Sequence, residues 1–203
     1  MKKFSKLVVA TKNPAKTDYY RSILDEIADE VLSLNDFGSI EKPNESGSTA
    51  EENAEIKARY YAMKTGLPVF SEDEALEVDF LPESEQPGTH VRRINGHDEV
   101  DDDQLLKHWE EIISKVPEGK RTGRWHIAYS ISLPDGQTHT VALDHSLVFF
   151  SPSSKIRVPG WPMSSLEGPV LFNKPHSELT EEERNTTKIK TAEELHNILR
   201  KLI

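Results

Sequence analysis

LVVATKNPAK, Leu7–Lys16, sets the class of fold. Its first four residues, Leu7 to Ala10, are apolar and read as a buried strand. Asn13 is a strong N-cap and Pro14 suits the first position of a helix. The strand therefore passes through a short polar turn into a helix that starts at about Pro14, and the chain enters the α/β class. The same turn is a candidate anion grip. A helix N-terminus offers unpaired N–H groups and positive potential. Thr11 and Asn13 add side-chain donors, and Lys12 and Lys16 add charge. An ordinary helix start with solvated lysines explains the same residues, and the local pattern by itself favours it. Nothing here matches the longer glycine-rich P-loop.

Outward from this stretch, Tyr19, Ile23, Ile27 and Val31 recur at four-residue spacing, with Leu24 and Ala28 beside them, which predicts a long amphipathic helix. VLSLN reads as the next strand and residues 36–48 as a polar loop. A second helix begins in TAEENAEIKARYYAMKTG, where Thr49 and Glu52 have capping-box spacing and Gly66 is a stop. LPVFSED predicts a short strand, and the alternation of Leu76, Val78 and Phe80 predicts another. Residues 82–100 read as loop. A helix over 101–115 carries Asp101, Asp102 and Asp103 at its positive end and turns Leu105, Leu106, Trp109, Ile112 and Ile113 inward. Trp125, Ile127, Tyr129, Ile131 and Leu133 then alternate, PDG turns, and residues 137–150 return as a hairpin. Residues 151–169, rich in Ser, Pro and Gly, read as loop. Thr180 with Glu183 and Thr191 with Glu194 predict two C-terminal helices. The result is an α/β chain with a mixed sheet and a long hairpin at its centre.

Composition narrows the partners. The 203 residues suffice for one sizeable core or two small lobes sharing a sheet. The net charge of -10 opposes a long nucleic-acid backbone, so a phosphate ligand must be small and held locally. There is no cysteine, which excludes disulfides and thiolate metal sites and suits a reducing cytoplasm. Leu7 to Ala10 is too short a run for a secretory signal, and no stretch could span a membrane.

A second candidate site is acidic. VFSEDEAL places Glu72, Asp73 and Glu74 where a buried strand ends, and such carboxylates often hold Mg²⁺. A solvated acidic turn is the plainer reading of that run alone. Capping accounts for Glu52. Asn53 and Lys57, one turn on, have no such excuse. The eight histidines show no metal-ligand spacing.

The order of these segments carries more than any one of them. ATKNPAK, ESGSTAEENAEIKA, TGLPVFSEDEALEVDFL and PGTHVRR, followed by LLKHW and RTGRWHIAYSISLPDG, resemble the inosine triphosphate pyrophosphatase family, cytoplasmic enzymes that hydrolyse nonstandard purine nucleoside triphosphates. The resemblance implies a curved mixed sheet with flanking helices and two lobes around a cleft, the whole of 1–203 forming one domain. It implies that Thr11, Asn13 and Lys16, with Lys12 in the same turn, grip the triphosphate. Thr49, Ala50, Glu52, Asn53, Ala54, Lys57 and Ala58 match a second motif, with Ala50 where a phenylalanine is usual; there Glu52 serves the metal and Lys57 the phosphates. Glu72, Asp73, Glu74, Ala75 and Leu76 match the family's Asp-Asp-Ser-Gly-Leu. Asp73 falls on the metal ligand and general base, Glu72 beside it joins the metal set, and Glu74 replaces a serine near the substrate. Arg93 matches the arginine after the Pro-Gly turn.

The C-terminal third departs from the family. Only Gly160 and Trp161 resemble the loop that reads the purine, Arg184 stands where a lysine is usual, and Lys188, Ile189 and Lys190 replace a Ser-His-Arg motif. The implied activity is hydrolysis of a nonstandard purine nucleoside triphosphate, or one of altered base, to the monophosphate and pyrophosphate. Mg²⁺ is the implied cofactor, with Mn²⁺ as a substitute, and a homodimer the implied state. The alternative is a nucleotide-binding or protein-interaction member that has lost catalysis.

Overall fold

The computed structural model describes residues 4–94, 96–97 and 100–199. Four α-helices and six strands are described: β1 (Phe4–Val9), α1 (Pro14–Leu24), β2 (Ala28–Ser33), α2 (Ala50–Thr65), β3 (Val69–Val78), α3 (Asp102–Ser114), β4 (Thr122–Ser132), β5 (Thr138–Phe149), β6 (Glu167–Pro169) and α4 (Glu181–Leu199). The strands hydrogen-bond in the order β2-β1-β3-β4-β5-β6. β1 runs parallel to β2, with Val8 opposite Leu32, and to β3, with Val8 opposite Val69. β5 and β6 are antiparallel, with Val148 opposite Gly168. The sheet is therefore mixed, with helices flanking it, as expected.

The chain divides into two compact units. The first comprises Met1–Asp73, Ile127–Leu143 and Thr187–Ile203. Here β1 is buried on both faces, which is why Leu7, Val8 and Val9 are all apolar. Leu7 and Val9 pack with Tyr20, Ile23, Leu24, Phe70, Tyr129 and Leu195. Val8, on the other face, packs with Leu34, Tyr61, Ala62 and Val69. The second unit comprises Glu74–His126 and Asp144–Thr186. Its core joins Leu76 and Val78 to the inward face of α3 (Leu105, Leu106, Trp109, Ile113) and to Leu147, Phe149 and Leu166.

Several boundaries differ from the sequence reading. α1 ends at Leu24, and Ile27 and Val31 reach the core from a turn and from β2. A four-residue repeat is also two strand periods, so the spacing does not separate helix from strand. The two short strands expected after Gly66 are one, β3, which carries both Leu76 and Val78. The 151–169 loop contains β6, three residues long, and a 3₁₀ turn at Pro162–Ser165. The two C-terminal helices are one, α4. Thr180 does accept from the Glu183 N–H while Glu183 accepts from the Thr180 N–H. Thr191 lies mid-helix, where its hydroxyl donates to the Thr187 carbonyl 3.1 Å away. With no Gly or Pro between Glu181 and Leu199, nothing breaks the helix there. Among the described residues no helix is long and apolar enough to cross a membrane.

Candidate active site

The turn after β1 is built from its own side chains. The Ala10 N–H donates to the Phe70 carbonyl (2.8 Å), which fixes the end of β1 against β3. Thr11 Oγ1 accepts from the Asn13 N–H (3.1 Å), and Asn13 Oδ1 accepts from the Ala15 N–H (2.9 Å), capping α1 as the sequence predicts. Exposed Lys12 donates to the Ile40 carbonyl (3.2 Å) and so fastens the following loop. Lys16, in the first turn of α1, points to the strand beside it. Because β3 continues past Phe70, Glu72 comes level with this turn, at the carboxyl ends of parallel strands where α/β folds place ligands. Lys16 Nζ lies 2.7 Å from Glu72 Oε1.

α2 supplies the second lysine. Ala50, Ala54, Ala58 and Ala62 form a buried stripe at four-residue spacing, and small side chains let a helix lie close to its neighbours. The buried Ser71 hydroxyl of β3 donates to the Ala54 carbonyl and ties strand to helix. Lys57 Nζ is thereby set 2.5 Å from Asp73 Oδ1 and 3.4 Å from Glu45 Oε2. Glu45 arrives on the loop before α2. Gly47 is needed there, since a Cβ would stand 2.6 Å from Glu52 Cβ and 2.7 Å from Asn53 Oδ1. Asn53, itself buried, accepts the Gly47 N–H at 2.9 Å. Its amide holds the loop that carries Glu45.

The two strand carboxylates are driven in opposite directions. Burial raises Asp73 above its ordinary value more than the Lys57 ammonium lowers it. Burial would raise Glu72 too, but Lys16 and Lys57 together hold it below the usual carboxylate range. Burial opposes the charge on Lys57, yet Asp73, Glu72 and Glu45 outweigh that and raise it. The lysines thus favour the anion on Glu72, while burial disfavours it on Asp73.

These residues suit a hard cation. Glu72 Oε2 is buried without a hydrogen-bond partner, and an oxygen in that state needs a cation or a donor. Mg²⁺ takes one or two carboxylates and completes its shell with water and phosphate oxygens. The three-carboxylate set Glu52, Glu72 and Asp73 is not gathered, and among the described residues no three His, Cys, Asp or Glu side chains converge to hold a metal. Glu52 is occupied elsewhere, its Oε2 accepting from the Ser48 N–H (2.6 Å) and hydroxyl (2.8 Å). Thr49 caps α2 by accepting from the Glu52 N–H at 3.2 Å, and the Glu52 carboxylate is held by Ser48, the residue before the cap. The carboxylate that joins Lys57 from outside β3 is Glu45, which opens the ESGSTAEENAEIKA segment. The only signals for that contact were the glycine two residues on and the amide at Asn53.

The remaining sequence candidates are Glu74, Arg93, Trp161, Arg184 and Lys190. Lys190 is exposed on α4 in the first unit. The second unit holds Glu74 on β3 and Trp161 before the 3₁₀ turn, both half-buried, and Arg93 and Arg184, both exposed.

A family model described as Ham1 family matches residues 7–144. A dITP/XTP pyrophosphatase of Exiguobacterium sibiricum is 37% identical over 138 residues, 67% of this chain and 67% of that protein. One of Photobacterium profundum is 40% identical over 122 residues, so the match spans only 60% of its length and 60% of this chain. The crystal structure of a nucleoside-triphosphatase / dITP/XTP pyrophosphatase from Mycobacterium abscessus aligns with a TM-score of 0.71 at 26% identity, over 96% of this chain and 98% of that one. The family match stops before the 151–190 segment, where the motifs depart.

Proposed function

The chain belongs to the Ham1 family, the inosine triphosphate pyrophosphatases, and from that premise we propose that it hydrolyses nonstandard purine nucleoside triphosphates to the monophosphate and pyrophosphate. The observation that carries this is the pairing of two half-buried lysines, Lys16 and Lys57, with the strand-end carboxylates Glu72 and Asp73. The relatives named dITP/XTP pyrophosphatase support the substrate class.

In this reading Lys16 and Lys57 hold the β- and γ-phosphates and neutralise the pyrophosphate as it leaves. Asp73, raised by burial, orients a water toward the α-phosphorus and takes its proton on the carboxylate. Glu72 and Asp73 would hold Mg²⁺ or Mn²⁺, with water and phosphate oxygens completing its shell. Bound there, the cation supplies charge neutralisation to the phosphoryl oxygens. Arg93, Trp161, Arg184 and Lys190 are assigned to the rest of the nucleotide, and the segment 151–190 sets which base is preferred. The lack of cysteine and the acidic surface support a cytoplasmic protein that does not bind nucleic acid. We assign it the homodimeric state of the family.

One observation favours a second reading, a member that binds nucleotide without turnover. Glu74 puts a half-buried carboxylate where the family has a serine. Kinetics over a panel of nucleoside triphosphates separate the two. Asp73→Asn should lower kcat by on the order of a hundredfold while binding weakens less. Lys16→Ala removes a contact made in ground and transition states, so KM should rise at least as much as kcat falls. Wild-type protein that binds a nucleotide but turns over none of the panel with Mg²⁺ or Mn²⁺ refutes the enzymatic reading.

A further inference from the structure

The lysines that would meet a polyphosphate are already paired with carboxylates that would meet a metal. Lys16 is taken by Glu72 at 2.7 Å, and Lys57 by Asp73 at 2.5 Å and Glu45 at 3.4 Å. Two ammonium groups face three carboxylates, so the group is net negative. The four central side chains are between 11% and 19% exposed, well out of bulk water. A polyphosphate arriving alone brings anionic charge to an anionic group and must strip both lysines from buried partners. A divalent cation arriving alone must draw Glu72 and Asp73 away and strand two half-buried ammonium groups. Either event leaves buried charge uncompensated, which is strongly unfavourable. Arriving together, the two ligands exchange partners with the protein. The carboxylates pass to the cation, the lysines pass to the phosphates, and no buried charge is left alone.

We propose that Glu72 and Asp73 act as a partner-exchange latch on Lys16 and Lys57, so that the site takes a divalent cation and a polyphosphate as one unit and discriminates against either alone. Glu72 sets the latch. Its Oε1 holds Lys16 while its buried Oε2 has no partner, so one carboxylate is committed to the lysine and open to a cation at once. The inference rests on the phosphate-site reading above and adds a coupling between the two ligands. Such a coupling is reciprocal, each ligand raising the affinity of the other by the same factor.

Inorganic tripolyphosphate is the probe, titrated calorimetrically into the full chain either with EDTA or as its Mn²⁺ complex. The wild-type protein should bind the Mn²⁺ complex at least about tenfold more tightly than the metal-free probe. Glu72→Gln keeps an acceptor for Lys16 and removes the charge. It should bind the metal-free probe at least about fivefold more tightly than wild type and should lose most of the metal effect. Asp73→Asn should shift both quantities in the same direction through Lys57, and it carries the test if thermal melts show that Glu72→Gln does not fold. Equal wild-type affinities with and without metal overturn the latch. Metal-free affinities unchanged in both variants overturn it as well. Absence of any binding by folded wild-type protein, with metal or without, overturns the phosphate-site reading itself.

Discussion

Replacing Lys57 with methionine keeps the aliphatic stem and removes the ammonium 2.5 Å from Asp73. Both side chains are 14% exposed, so solvent screening does little to discount the pair. Breaking a buried pair by removing one partner costs about 3–5 kcal/mol. The fold has one escape, which is to protonate Asp73. Starting from its ordinary value of 3.8, that escape costs about 5–6 kcal/mol at about pH 8 and about 1.5 kcal/mol at about pH 5. At the higher pH the variant therefore bears the full loss of about 3–5 kcal/mol, and at the lower pH the loss is capped near about 1.5 kcal/mol. The sign follows from Asp73, whose folded value is already raised by burial and rises further without Lys57. A carboxyl raised on folding contributes stability below its ordinary value, and this contribution is lost as pH rises through the folded value. The variant's deficit must widen with increasing pH. Urea unfolding of both proteins, followed by far-ultraviolet circular dichroism at the two pH values, measures it. A deficit under about 1 kcal/mol at about pH 8, or one of equal size at both, refutes the reasoning.

Gly47→Ala forces a Cβ onto Glu52 Cβ and Asn53 Oδ1; it should cost about 1–3 kcal/mol in the same urea assay and weaken nucleotide binding by loosening the loop that carries Glu45. In the second unit, burial would lower His176, but the Glu167 carboxylate 3.0 Å away outweighs it and raises the imidazole above its ordinary 6.5. That stabilisation is fully present below the ordinary value and lost as pH rises through the folded one, so His176→Gln should destabilise more in mildly acid than in alkaline solution. Equal urea-midpoint shifts for His176→Gln on both sides of that range would show that the pair contributes nothing.

The helix that presents Lys57 was legible because local chemistry and tertiary packing agree along it. Thr49 caps it, Gly66 stops it at φ 68°, and the alanine stripe lies on the buried face. The strand-to-helix turn at Asn13 and Pro14 was legible for the same reason. Thr191 misled because a capping pattern is meaningful only where the backbone already leaves the helix, and here it does not. β6 escaped notice because its three residues, Glu167–Pro169, pair with Leu147–Phe149 through the backbone and carry no periodic signature of their own.

At the candidate site, sequence order identified Lys16, Lys57, Glu72 and Asp73, and the structure brings them together in two ion pairs. Glu45 opens the ESGSTAEENAEIKA segment, but its approach to Lys57 depends on a loop fold set by Gly47 and the buried Asn53 amide. Nor could sequence order separate the two roles open to Glu52, since a carboxylate at that helix position suits a cap and a ligand equally. Only the position of Ser48 distinguishes them.

The central claim concerns which phosphoanhydride bond breaks. Phosphorus NMR of inosine triphosphate incubated with the protein and Mg²⁺ reads this directly. Attack at the α-phosphorus, with the leaving group held by Lys16 and Lys57, predicts pyrophosphate and inosine monophosphate in equal amounts, formed on the order of a hundredfold more slowly by Asp73→Asn. Orthophosphate with inosine diphosphate, or bound nucleotide that persists intact, would contradict it.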